Sequence, residues 1–189
     1  MERRFFDLSS DEYVKGRWYL GDPTYVNGGV VEDVWRFSDG LPVSLSENLR
    51  VPVRTSGTAL DIEFAGAGLV PIVSSRVASI FRELAPDDVQ LFPIDVEGAE
   101  GAWFLLNVAK QLRCIDDEAS EEVQLRTAED YEERIGEYCS VIGLRIDKSK
   151  VGSARVFRLW GWRVPLIVDE EVKNALEANG ILGGRFDEV

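Results

Sequence analysis

VPLIVDEEVKNALEANG, from Val164 to Gly180, changes its periodicity half-way along. The opening VPLIVD is apolar enough for a strand at the centre of a sheet, covered on both faces. From Asp169 onward the apolar side chains fall at Val172, Ala175 and Leu176, the spacing of one helical face. The Asp169 carboxylate is placed to accept from the free amides of a first turn, and Glu170 and Glu171 sit near the positive end of the helix dipole. Gly180 suits the left-handed position that closes a helix, with Ile181 folding back on the last turn in a Schellman ending. The stretch therefore reads as a buried strand feeding directly into a short, well-capped helix.

Working outward, β-branched and aromatic runs recur between Gly, Pro and Asp turns. They are RWYL at 17–20, LRVPV at 49–53, LDIEF at 60–64, LVPIVS at 69–74, VQLFPIDV at 89–96, AWFLLNV at 102–108, SVIGLRI at 140–146 and RVFRLW at 155–160. One further helix is expected over RVASIFRELA. Ser74 or Ser75 would cap it, Val77, Ile80, Phe81 and Leu84 would form its apolar stripe, and Pro86 would end it. Strands and helices do not alternate regularly, so the class is α+β, strand-rich, with a mixed or antiparallel sheet and a few packed helices. The length of 189 residues suits a single domain over 1–189. AGAGL at 65–69 is a candidate joint after an N-terminal subdomain 1–66, and GDPTYVNGGVVEDV at 21–34 reads as a long surface loop.

Composition narrows the chemistry. Hydrophobic residues make up 45% and charged residues 29%, the balance of a soluble globular chain. No apolar run is long enough to span a membrane, and MERRFFDLSSDEY carries no secretory pattern, so a cytoplasmic location is expected. Cys114 and Cys139 form no CxxC pair, which indicates neither a disulfide framework nor a zinc knuckle. There is no histidine, so the commonest general base, the Ser-His and Cys-His nucleophile pairs and the commonest transition-metal ligand are all missing. A net charge of −13 opposes nucleic-acid binding and fits either a basic partner or simple dispersal in solution. No cofactor, metal or catalytic residue is indicated.

Charge concentrates in RCIDDEASEEVQL, where Asp116, Asp117, Glu118, Glu121 and Glu122 crowd together. The run lacks the alternating ligands and turn glycine of a calcium loop. From Cys114 to Glu137 ten acidic residues, Asp130 among them, face only Arg126 and Arg134, a net of −8. Such a run is either a solvated, self-repelling face or a docking surface that steers a basic partner. In RLWGWRV, Trp160 and Trp162 are expected to share a strand face across Gly161, flanked by Arg158 and Arg163, as core packing or as a binding anchor.

The ordered series GRWYLGDP, DGLPV, LDIEFAGAGLVPIVSSRVASIF, DDVQLFPIDVEG, FLLNV, RCIDDEAS, VFRLWGW and LIVDEEVKNALEANGILGGRF resembles a family of bacterial immunity proteins, immunity family eleven, formerly a domain of unknown function. The likeness runs from Phe5 to Val189. It implies a noncatalytic antidote that binds a cognate toxin. It also marks Trp18, Gly21, Asp22, Gln90, Phe92, Pro93, Cys114, Asp116, Arg158, Trp160 and Gly161 as positions serving either fold or binding. The expected partner is a basic toxin, with Asp116, Asp117, Glu118, Glu121, Glu122, Trp160 and Trp162 as candidate contacts. The alternative is an intracellular adaptor or regulatory protein that binds a host protease or chaperone.

Overall fold

The computed structural model describes residues 3–129 and 132–189. Strands dominate, arranged in several sheets with two α-helices among the described residues, which makes the fold a strand-rich α+β. A six-stranded sheet is ordered Thr24–Tyr25, Leu49–Val51, Val89–Val96, Trp103–Val108, Val70–Ser74 and Ile62–Ala65. A five-stranded sheet is ordered Gln111–Leu112, Val156–Leu159, Trp162–Asp169, Phe5–Ser10 and Gly184–Glu188. Each sheet holds one parallel pairing, Leu49–Val51 with Val89–Val96 in the first and Gln111–Leu112 with Val156–Leu159 in the second. The sheets are therefore mixed.

Helix α1, Ser75–Leu84, and helix α2, Glu170–Ala178, pack on each other and on the two sheets. Around them Phe6, Leu8, Val73, Val77, Phe81, Leu106, Leu166, Val168, Val172 and Leu176 form a core drawn from both sheets. The opposite faces are covered too. Ile72, Leu105, Ile94 and Val51 meet Trp18, Leu20 and Phe37, while Phe157, Leu159 and Ile167 meet Cys114, Ile115, Ile146 and Val151. Central strands with apolar partners above and below need hydrophobic residues at successive positions, which is why VPLIVD and LVPIVS show no alternation.

The strand-to-helix junction forms as its residues dictate. Asp169 accepts from the Val172 amide at 3.0 Å. Gly180 takes φ +59°, its amide reaches the Glu177 carbonyl at 2.9 Å, and the Ile181 amide reaches Leu176 at 3.2 Å, the two bonds of a Schellman ending. At α1, Ser74 occupies the capping position but its hydroxyl donates to Asp61 Oδ1 at 2.7 Å, so it does not cap the helix.

Other differences have local causes. Phe5–Ser10, read only for its lack of a secretory pattern, is an inner strand of the five-stranded sheet. The 21–34 stretch contributes the edge strand Thr24–Tyr25 and buries Val31 at 4% exposure, so it is more than a surface loop. AGAGL forms the turn between two paired strands, with Gly66 at φ +60° and Leu69 at φ +46°. The strand expected over 140–146 is Tyr138–Ile142 instead.

Candidate functional site

The acidic segment begins as a tight turn. Asp116 Oδ1 accepts from the Glu118 and Ala119 amides at 3.2 and 3.0 Å, and its carbonyl accepts from the Ser120 hydroxyl at 2.7 Å. Asp116 therefore shapes the backbone, which leaves Asp117, Glu118, Glu121 and Glu122 exposed around it. Glu122–Leu125 then pairs antiparallel with Tyr138–Ile142, so part of the run is a two-stranded ribbon. Asp117, Glu118, Glu121 and Glu122 project into solvent from turn and ribbon alike, and among the described residues of the segment no two buried carboxylates pair to separate an acid from a base. Asp130 lies outside the described residues.

Trp160 and Trp162 do not share a strand face. Gly161 adopts φ +75°, so the chain reverses there into a hairpin whose Leu159 faces Trp162. Only glycine takes that conformation without strain, which turns the expected strand residue into a turn residue. Trp160 stacks beneath the Arg113 guanidinium, 3.3 Å from the ring centroid. Trp162 instead lines an open cleft of about 420 Å³ with Trp35, Tyr138, Arg126, Arg134 and Arg163.

Tyr138 joins the two predicted features. Its ring lines the Trp162 cleft, its amide donates to the Gly161 carbonyl at 3.1 Å, and its hydroxyl donates to Asp117 Oδ1 at 2.9 Å. Burial, reinforced by that bond to a carboxylate, pushes the phenol up to about 12. The acidic turn and the tryptophan hairpin are thus neighbours, although Asp117 and Trp162 lie far apart in sequence.

A second cleft, of about 330 Å³, adjoins the first, because Val164 lines both. Tyr13, Phe64, Leu69, Asp7, Glu12 and Arg185 also border it. Tyr13 is 80% exposed and Val164 58%, so apolar surface continues from one cleft to the other. Burial pushes the Asp7 carboxyl up to about 6, against the pull of the Leu166 amide and of Arg158. Arg158 is itself wholly buried, which lowers its guanidinium to about 10 despite Asp7 and Asp39. Sequence reasoning passed over Asp7, Tyr13, Trp35, Leu69 and Val164. Isolated apolar or acidic residues carry no local signal, and only the fold gathers them.

Cys114 is fully buried, and burial followed by Asp147 pushes its thiol up to about 12, far from a reactive thiolate. Among the described residues no group of three His, Cys, Asp or Glu side chains is placed to hold a metal ion. What the surface offers is contact area, with acidic charge beside exposed aromatic and aliphatic side chains. A family model described as the immunity protein family Imm11 matches residues 16–189. The chain belongs to that family.

No curated protein matches this Imm11 chain. The motif positions of the family resemblance take visible structural parts in it. Trp18 packs on Trp103 with ring centroids 5.2 Å apart. Asp22 accepts from the Ala67 amide at 2.8 Å and fills the space above Gly66. Gln90 ties down the 41–43 segment, accepting from the Val43 amide at 2.7 Å and from Asn107 at 2.9 Å. No helix of the Imm11 chain, among the described residues, is long and apolar enough to cross a membrane.

Proposed function

We propose that this Imm11 protein is a cytoplasmic antidote that neutralises a cognate toxin by binding it, without catalysis. The observation that carries this reading is the family match over residues 16–189. The surface supports it. A carboxylate-rich turn and ribbon stand beside a cleft where Trp35, Trp162 and Tyr138 sit among Arg126, Arg134 and Arg163, a combination suited to steering a basic partner through the acids and anchoring its apolar or acidic groups in the cleft. The partner is a basic toxin, as the net charge of −13 favours. Asp117, Glu118, Glu121 and Glu122 meet its charge, Trp162 and the Arg113-capped Trp160 supply anchoring surface, and Asp116 holds the turn in shape.

Coexpression tests this directly. A host producing the cognate toxin is expected to survive only when the protein is present, and the two chains are expected to co-elute on gel filtration. Failure of both rescue and co-elution sinks the proposal.

A further inference from the structure

We propose that the cleft over Asp7 is a socket for one basic side chain, lysine or arginine, presented by the toxin. The inference rests on the toxin-binding reading and names the chemistry of one contact within it. The cleft has the composition such a side chain requires. Phe64, Leu69, Val164 and Tyr13 offer apolar walls to an aliphatic stem, and the carboxylates of Asp7 and Glu12 offer counter-charges to a cationic head.

Arg158 attracts Asp7 but closes no ion pair on it among the described residues, which leaves the contact position open. Arg185 is drawn to Asp187 at 2.9 Å, and Arg158 donates to the Val164 carbonyl at 3.0 Å, so neither closes an ion pair on Asp7 among the described residues. The charged and titratable groups around Asp7 are Glu12 and Tyr13 from the following turn, Arg185 and Asp187 from the last strand, and Arg158 from beyond the neighbouring strand. The 66–69 turn contributes only Leu69. Desolvation already holds the Asp7 carboxyl near 6, and an incoming ammonium or guanidinium would stabilise its charged form.

The rim has a feature of its own. Leu69 is the only non-glycine residue with positive φ among the described residues, at +46°, and it holds its side chain 44% exposed at the mouth of the cleft.

The experiment has two arms. In the first, the carbon-13 resonance of the Asp7 carboxyl is followed during titration with n-butylguanidinium chloride, with n-butanol and acetate as controls. The expected result is a saturable shift with the cation alone, together with a cation-induced shift of the Val164 methyl resonances that is present in wild type and lost in Asp7→Asn. No saturable shift, or an equal response to butanol or acetate, overturns the socket. In the second arm, the toxin that the coexpression test identifies is titrated into wild type, Asp7→Asn and Leu69→Gly by calorimetry. Wild-type affinity is expected to fall about tenfold between pH 7.5 and pH 5, as Asp7 loses its charge through a value near 6. Asp7→Asn should bind about tenfold more weakly at pH 7.5 and lack that part of the pH dependence. Undiminished binding by both variants overturns the socket while the toxin reading stands. A wild-type chain that takes the guanidinium but not the toxin overturns the toxin reading and, with it, the assignment of the socket to a toxin side chain.

Discussion

The guanidinium of Arg17 and the carboxylate of Glu63 meet at 2.6 Å with their side chains 5% and 3% exposed. Arg17 also donates to the Asp11 carbonyl at 2.9 Å and to the Ser10 hydroxyl at 2.8 Å, while Glu63 accepts from the Phe64 amide at 3.0 Å. The pair therefore ties the end of the first strand to the edge of the six-stranded sheet. Burial raises the Glu63 carboxyl and Arg17 opposes that rise, so each charge depends on the other. Glu63→Ala leaves a buried cation unmatched and is expected to cost about 3–5 kcal/mol in urea unfolding. Replacing both residues with Met and Leu should cost less than the single change. A double variant weaker than Glu63→Ala would show that the network of hydrogen bonds matters more than charge balance.

Asp169 does two jobs at the junction of strand and helix. One oxygen caps the Val172 amide at 3.0 Å, and the other receives Arg3 at 3.1 Å, with Arg155 at 3.8 Å. Asp169→Ala is expected to lower stability by about 2–4 kcal/mol, because a buried amide loses its acceptor and two arginines lose a counter-ion. Asp169→Asn keeps the cap and should recover about half of that loss. Equal unfolding midpoints for the two variants would assign the whole effect to the ion pairs.

The segments that sequence made legible are those in which local and global preferences agree. VQLFPIDV spans its strand residue for residue, and the second helix begins at its aspartate and closes at Gly180 as its pattern required. Phe5–Ser10 escaped because Asp7 interrupts an otherwise apolar run, and its burial comes from strands more than 150 positions away. LWGW misled for a different reason. A glycine between tryptophans fits a strand or a turn equally well, and only pairing across the hairpin decides. The candidate site shows the same division. The charge of the 114–137 segment was plain, but its contact with Trp162 runs through Tyr138 and the fold of the hairpin. The Asp7 cleft, assembled from separate strands and a turn, left no trace in spacing.

Two glycines with positive φ should behave differently. A Cβ at Gly183, φ +103°, would lie 2.2 Å from the Ile62 carbonyl oxygen, whereas one at Gly152, φ +64°, meets nothing within 4 Å. Gly152→Ala should therefore pay only the left-handed backbone cost of about 1 kcal/mol, while Gly183→Ala adds a backbone collision and should cost clearly more. Thermal unfolding of the two variants side by side checks the ranking. Equal melting temperatures would mean that the 180–184 turn shifts freely.

Asp7 makes stability depend on pH. Its folded value is raised to about 6 from an unfolded value near 3.8, so the native state binds the extra proton between those limits. Its contribution is fully present below 3.8 and is lost as pH rises through 6. Asp7→Asn keeps an acceptor for the Leu166 amide without the charge. The variant should be more stable than wild type at pH 7.5, by about 1–3 kcal/mol, and the difference should vanish near pH 4. Denaturant titrations across that range measure it. A variant less stable at every pH would indicate that the Asp7 charge is needed to balance Arg158.

Reversal of the exposed acids separates solvation from recognition. Asp117, Glu118, Glu121 and Glu122 all lie at the surface, and among the described residues only Asp117 of the four accepts a side-chain bond, from Tyr138 at 2.9 Å. Lysine at the four positions changes the local charge by eight without removing core contacts, so unfolding free energy should move by no more than about 1 kcal/mol. If these acids steer a basic toxin, the association rate should fall by about tenfold or more at low salt, and the gap between variant and wild type should close as salt screens the field. Dissociation should change much less, because steering acts before the tryptophan cleft engages. Stopped-flow association at several salt concentrations reads both rates. An association rate that ignores both the reversal and the salt would return this segment to a merely solvated face and leave the Trp162 and Asp7 clefts as the remaining contacts to test.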